Sequence, residues 1–232
     1  MVNSASTLEQ GIADCLDRRR QTLTETQRVV ISLRGTVLHA HSCRMAVPMI
    51  YAIWEGFAKE VLQLYIEYIE ATQIPQAQTA TPLLAYAWTS SFKKFSHNVD
   101  HPKKVELVNR FFAALTDRLV FDKREREIDT KSNLTFRVLE EITSALCLDL
   151  SALNEHKVKL DALVNRRNNI AHGGRDQSLD EAAVSDYRDL VLSLMTALES
   201  TLLSAIENRS YMRVEHRGPD GDQVDGMEVA IA

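Results

Sequence analysis

The sequence contains few of the residues that end strands and few that cross-link secreted domains. Its 232 residues include only 8 glycines and 5 prolines, too few for the many turns of an all-β sandwich or barrel. The three cysteines, Cys15, Cys43 and Cys147, are odd in number and widely separated. That spacing is typical neither of a disulfide framework nor of a metal site. We therefore expect reduced thiols and a fold that is not all-β.

Long apolar runs and strong charge of one sign are also missing. No uninterrupted apolar run reaches about 18 residues, and the N-terminus is polar, which predicts a chain that is neither secreted nor membrane-spanning and therefore cytoplasmic. The net charge is −5, so no overall basic field would attract nucleic acid. Any contact with nucleic acid must then use a local patch.

The chain instead has apolar residues at helical spacing. The pattern predicts a first helix from Ser6 or Thr7 to about Ala40 and a second from about Ser42 to Thr72, with Pro48 either kinking it or marking its start. A last long helix should begin at Ser178 or Asp180. We predict an all-α bundle of roughly five to seven helices over residues 1–208, with a flexible tail over 209–232.

Two histidine groups have spacings that could suggest a metal site. His97 and His101 are four residues apart, but Pro102 argues against a helix there, so a polar turn is the better interpretation. His39, His41 and Cys43 alternate, but no fourth ligand is nearby. We interpret that stretch as an interhelix linker and predict neither a metal nor a cofactor.

The stretch "VNRRNNIAHGG", residues 164–174, is unusual. Its glycines predict a helix end, with Gly173 as the first residue past the cap. Three asparagines and two arginines nevertheless crowd the last turns, although asparagine is a poor residue for a helix interior. Such a local departure from helix preference is typical of functional sites.

The spacing within this motif restricts how its residues can cooperate. Asn168 and His172 are four residues apart and share a helix face, with Asn169 close to it. Arg167 is five residues before His172, which is about 140° around an ideal helix. Both reach one substrate only if the last turn unwinds, the arginine reaches round, or a second subunit contributes.

Arg167-Asn168-x-x-x-His172 resembles the R-x4–6-H signature of the HEPN superfamily, in which a polar residue commonly follows the arginine. Two further segments, "IYAIWEGFAKEVLQLYIEYI" (residues 50–69) and "TKSNLTFRVLEEI" (residues 130–142), resemble the MAE-like HEPN group. The resemblance covers most of residues 40–205. It implies a HEPN-type helical bundle with long antiparallel helices.

The resemblance also implies a homodimer with a composite active site and metal-independent endoribonuclease activity. RNA supplies the 2′-OH nucleophile, His172 would transfer the proton, and Arg167 would bind the scissile phosphate. Products would carry 2′,3′-cyclic phosphate and 5′-OH ends. The supporting roles implied are orientation by Asn168 and Asn169, cleft lining by Glu55 and Trp54, and RNA binding by Arg166 and Arg175. For Trp54, simple core packing is at least as good an interpretation, and Glu55 could instead face solvent.

Proteins of this type commonly act in toxin–antitoxin, phage-defence or RNA-processing settings, which implies an antitoxin or defence-complex partner and no membrane. An alternative remains open, because some HEPN members are not catalytic. In that case the chain is a helical dimer that binds a protein or a nucleotide, and the motif serves structure.

Overall fold

A computed structural model describes residues 4–93, 100–174 and 179–217. Within those ranges the chain forms nine α-helices, and its only β structure is two isolated bridges, Pro75–Arg118 and Thr79–Met212. The helices are α1 (Ala5–Ser32), α2 (His39–Thr72), α3 (Thr81–Ala87), α4 (Thr89–Lys93), α5 (His101–Ala114), α6 (Lys123–Arg126), α7 (Phe136–Ala145), α8 (Lys157–Ala171) and α9 (Glu181–Glu207). The predicted all-α class is confirmed. Three short helices, α3, α4 and α6, raise the number above the predicted five to seven.

The long helices α1, α2 and α9 form the centre of the bundle. Arg19 of α1 pairs with Glu60 of α2 at 3.0 Å, and Arg34, just past the end of α1, pairs with Glu181 at the start of α9. Early residues of α1 lie against late residues of α2, as Gly11 does against Leu64. The end of α1 lies against the start of α9. Accordingly, α1 runs antiparallel to α2 and to α9.

The core consists of apolar stripes at helical spacing on these three helices. Leu8, Ile12 and Leu23 of α1 are at most 1 % exposed, and Trp54 of α2 is 0 % exposed. Burial of such faces is the main source of helix stability in a folded domain. Of the two interpretations of Trp54, core packing is confirmed and cleft lining is not, because the side chain is packed in the core.

The boundary between α1 and α2 differs from the prediction. The first helix ends at Ser32, eight residues before Ala40, in a turn where Gly35 adopts a φ of 74°. The second begins at His39, so His39, His41 and Cys43 are helical rather than a linker. Cys43 is 0 % exposed, and this burial favours extending the helix through a stretch with no residue that breaks it.

Beyond the predicted boundary at 208, the chain packs against the bundle at two residues. Tyr211 and Met212 are 4 % and 9 % exposed, and Tyr211 meets Tyr68 of α2 edge to face at 6.0 Å. The Ala80 amide donates to the Tyr211 carbonyl at 2.9 Å. Two buried side chains without helical periodicity are enough to hold the segment, and such a short pattern gives little sequence signal.

Helix α9 is the one helix in the described ranges that is long and apolar enough to cross a membrane by length and composition. Half of its most apolar window is buried in the bundle, and it packs against α1 and α2. A core helix has the same composition. His97, Arg175 and residues 218–232 lie outside the described residues.

Candidate active site at the C-terminal end of helix α8

The motif ends α8 with the glycine cap that the sequence predicts. Gly173 has a φ of 74°, its amide donates to the Ile170 carbonyl at 3.1 Å, and the Gly174 amide donates to the Asn169 carbonyl at 2.9 Å. These two bonds define a Schellman motif. His172 is the cap residue, with φ −87° and ψ 12°, so regular helical geometry ends at Ala171 and the chain leaves the helix at the histidine.

Arg167 is held by three neighbours from different parts of the fold. Its Nη1 donates to Asn133 Oδ1 at 3.0 Å and to Asn168 Oδ1 at 2.6 Å. Its guanidinium carbon lies 4.7 Å from the centre of the Tyr51 ring, a cation–π contact. The half-buried arginine therefore has a defined orientation against α2 and the loop before α7.

Tyr51 and Glu55 are four residues apart on α2 and face this same region. The Leu134 amide donates to the Tyr51 hydroxyl at 2.7 Å, and the Thr130 hydroxyl donates to Glu55 Oε1. Burial raises the pKa of Tyr51, and the charge of Glu55 adds to that shift, whereas the Leu134 amide and Arg167 oppose it. Tyr51 is therefore a neutral phenol at neutral pH.

The loop over residues 127–135 brings Asn133 to the arginine. Lys131 and Ser132 both have left-handed backbone, with φ of 52° and 64°, a conformation that costs energy for residues other than glycine. Thr135 then caps α7 by accepting from the Val138 amide at 3.3 Å. Phe136 N–H donates to Asp161 of α8 at 2.9 Å, so the loop is tied to α8 as well as to α2.

His172 has very different surroundings. It is exposed beyond the last turn of α8, and its amide donates to the Asn168 carbonyl at 3.0 Å. The side-chain carbonyl of Asn168 accepts from the Arg167 guanidinium, so the side chain of Asn168 positions Arg167 in the structure. An orienting role toward His172 stays a prediction.

The other predicted residues surround the helix end. The Asn169 side chain lies over Gly174, whose added Cβ would come within 1.6 Å of Asn169 Oδ1. Arg44 of α2 donates to the Gly174 carbonyl and so ties the cap to α2.

Arg166 is half-buried one residue before Arg167, and Arg175 lies outside the described residues. Glu55 lies near Tyr51, with its carboxylate turned to Thr130.

A surface cleft of about 900 Å³ lies elsewhere, lined by Tyr86, Ser90, Glu125 and Asp129 among others, and it contains neither Arg167 nor His172. Burial, with the charges of Glu125 and Asp129, raises the pKa of Tyr86 to about 12. In the described part of the chain, no group of three or more His, Cys, Asp or Glu side chains could hold a metal ion.

Sequence reasoning did not single out Tyr51, Thr130 or Asn133 as site residues. All three lie inside the two segments whose resemblance to MAE-like HEPN proteins was noted, so a signal was present. It did not indicate which side chain meets Arg167, because the contacts join residues 34 and 116 positions apart in the chain.

Comparison with known proteins identifies a family. Searches of curated proteins and of solved structures found no match. A family model described as MAE_28990-like HEPN matches residues 8–211, nearly the whole described chain. It spans the three central helices, the loop that carries Asn133 and the Arg167–His172 motif. The chain therefore belongs to the MAE-like HEPN family.

Proposed function

We propose that this protein is a metal-independent endoribonuclease in which Arg167 and His172 carry the chemistry. HEPN domains are generally nuclease modules. The observation that supports catalysis most is the state of Arg167, a half-buried cation oriented by Tyr51, Asn133 and Asn168 a few residues before an exposed histidine.

Arginine suits the developing charge of a phosphate undergoing attack. Its planar guanidinium binds two oxygens at once, and a donor that is already oriented pays no reorganisation cost during the reaction. Loss of one such electrostatic donor typically costs about 10²–10³-fold in kcat. Arg167 would hold the scissile phosphate, while Arg166 and Arg175 add local positive charge to a chain of net charge −5.

Histidine suits the proton transfers. RNA provides the attacking 2′-OH, so the protein needs only a group that exchanges a proton near neutral pH. His172 would remove the 2′-OH proton or donate one to the leaving 5′-oxygen. The products would be a 2′,3′-cyclic phosphate and a 5′-hydroxyl.

Helix geometry favours a site shared between two subunits. Because α8 stays helical to Ala171, the residue before His172, the last turn does not unwind to bring the two side chains together. By helical geometry Arg167 and His172 then project about 140° apart. Since Arg167 is directed onto Tyr51, we propose that it works with His172 of a second copy.

An exposed apolar surface next to the motif suits that second copy. We define the corner face as Val37, Leu38, Met45 and Met49, which are 98 %, 55 %, 49 % and 51 % exposed. On α2, Met45 and Met49 lie about 100–160° around the helix from Arg44 and Tyr51. Arg44 ties this end of α2 to the cap of α8, so a copy seated there would lie near the end of the motif. Clustered exposed apolar side chains commonly mark protein interfaces.

The proposal extends to a cytoplasmic setting without a membrane, with an antitoxin or defence-complex protein restraining the activity. These parts depend on the family's usual contexts. They are separable from the chemistry and would be tested by co-purification of the full-length protein with its neighbouring gene product.

The chemistry is tested by incubating purified protein with RNA in EDTA, alongside Arg167→Ala and His172→Ala. Matched controls are Arg137→Ala, an exposed arginine paired with Glu141, and His216→Ala, an exposed histidine of the last turn. We expect cleavage by wild type and both controls, and loss in both motif variants. The cyclic phosphate at the 3′ ends should have to be opened and the resulting monophosphate removed before the ends can be polyadenylated or extended.

Intact RNA with wild type, or cleavage by either motif variant at the wild-type rate, would remove the catalytic assignment and leave a binding module. The dimer is tested separately by light scattering of wild type and of the Met45→Glu/Met49→Glu double variant. We expect a dimer that becomes monomeric in the variant. A wild-type monomer at working concentration would contradict the shared site.

A further inference from the structure

Tyr51 and Asn133 contact Arg167 from outside the motif, and neither has an assigned role in the proposed reaction. Tyr51 is 1 % exposed on the face of α2 that meets α8. Asn133 is half-buried in the loop before α7. The question is whether they merely fill space or determine how the guanidinium is presented.

The hydrogen-bond geometry indicates that they orient the Arg167 guanidinium. A guanidinium has five N–H donors, two of them on Nη1. Both Nη1 donors have an acceptor, Asn133 Oδ1 at 3.0 Å and Asn168 Oδ1 at 2.6 Å. Among the described side chains, no acceptor is bonded to Nε or Nη2 of Arg167. The edge formed by those two nitrogens is the one that binds two phosphate oxygens side by side.

Tyr51 and the loop that carries Asn133 are in turn held in place by hydrogen bonds. The Tyr51 hydroxyl accepts from the Leu134 amide at 2.7 Å, directly after Asn133, so the ring and the loop are coupled. Thr130 at the start of the loop donates to Glu55, one turn along α2 from Tyr51. Consecutive left-handed residues Lys131 and Ser132 persist because both sides of the loop are tied down.

We infer that Tyr51 and Asn133 are positioning residues that hold the Arg167 guanidinium by one edge and one face, leaving its Nε–Nη2 edge for a phosphate diester of RNA. The inference rests on the proposed function for its substrate. Glu55 acts one step further back, through Thr130 and Tyr51, and does not meet the substrate.

Asn133→Ala is the main test, because Asn133 is half-buried and its loss should leave the fold intact. Hydrogen bonds to charged groups contribute roughly 10–100-fold in affinity terms. We therefore expect kcat on RNA in EDTA to fall about 10-fold, with KM changing less than about 2-fold, since Arg167 still carries its charge. Tyr51→Leu, which removes the ring, should act in the same direction.

Matched controls are Tyr65→Phe and Asn109→Ala. Tyr65 is a fully buried tyrosine of α2 whose hydroxyl has no hydrogen-bond partner within the described ranges, and Asn109 is exposed on α5. Both should keep wild-type kcat. Thermal unfolding of every variant separates loss of fold from loss of positioning.

Side-chain ¹H–¹⁵N spectra provide a readout that does not need activity. The Nη1 protons of Arg167 should be resolved and slowly exchanging in wild type and in both controls, and averaged in Asn133→Ala. Asn133→Asp keeps the acceptor oxygen and should restore them. If wild type cleaves no RNA, the proposed function fails, and these spectra still decide the positioning. Unchanged Nη1 signals, or wild-type kcat in Asn133→Ala, would overturn the inference.

Discussion

Arg167 and His172 lie five residues apart at one helix end, but their surroundings are opposite. The arginine is half-buried and contacts α2, the loop before α7 and its neighbour Asn168. The histidine is exposed at the cap. An electrostatic group benefits from being oriented before the substrate arrives, because reorganisation is costly. A proton-transfer group can be completed by the substrate or by another subunit.

The largest expected effects come from the two motif residues themselves. Arg167→Lys should be nearly as damaging as Arg167→Ala, roughly 10²–10³-fold in kcat, because an ammonium cannot bind two oxygens in one plane. His172→Ala should cost about 10²–10⁴-fold but retain RNA binding. Single-turnover kinetics and filter binding separate these losses. An active Arg167→Lys protein would show that charge alone suffices and that the observed orientation is irrelevant.

Mixing inactive variants tests whether the two ends of the motif act within one subunit. If each site uses Arg167 from one copy and His172 from the other, a heterodimer of Arg167→Ala and His172→Ala contains one complete site. Random exchange at equal concentrations should then restore about 25 % of wild-type activity. The reverse pairing, wild type with the double variant, forms heterodimers without a complete site. For a shared site, exchange should therefore halve the activity of the wild-type subunits in that second mixture. No gain in the first mixture, with unchanged wild-type activity in the second, would place both residues in one subunit.

Alanine substitutions at the two cap glycines should distinguish the effect of the helix cap on stability from the effect of the Asn169 position on catalysis. Gly173 has positive φ and open space around it, whereas a Cβ on Gly174 would meet the Asn169 side chain. Gly173→Ala should cost about 1 kcal/mol of stability with little change in kcat. Gly174→Ala should displace Asn169 and lower kcat several-fold, on the order of 3–10-fold. Equal kcat values for both variants would exclude Asn169 from the site.

The smallest effect is expected at Glu55. Its charge is one cause of the raised pKa of Tyr51, so Glu55→Gln should move that pKa back toward its usual value. At neutral pH the phenol stays protonated, and kcat should change less than about 3-fold. Ultraviolet titration of phenolate absorbance measures the shift, with Glu141→Gln, an exposed surface residue, as the control.

The raised pKa of Tyr51 also predicts how the stability of the fold depends on pH in alkaline solution. The pKa of Tyr51 is raised in the folded state, so the folded protein keeps a proton that the unfolded chain releases above its ordinary pKa near 10. Folding stability is unaffected by this group below that pH. It falls as pH rises above about 10, by up to about 1.4 kcal/mol per pH unit for each such tyrosine. Tyr51→Phe should reduce that slope in denaturant titrations at alkaline pH, and an unchanged slope would contradict the burial.

Local sequence signals predicted the ends of several helices correctly. Asp180 caps α9, and Gly173 follows the cap of α8, because capping depends on side chains within a few residues of the helix end. Other predictions failed where burial decided the outcome. His39 and Cys43 are helical, and Tyr211 and Met212, beyond the predicted end of the domain, are buried.

The sequence by itself determined the all-α class, the caps and the Arg167–His172 motif, since helical period and turn chemistry are short-range. Only the tertiary structure decided which neighbours hold the arginine. Tyr51 and Asn133 reach Arg167 from 116 and 34 positions away, through the packing of α2 against α8 and a loop with strained backbone. Local patterns do not encode such contacts, because they arise when separate apolar stripes are buried together.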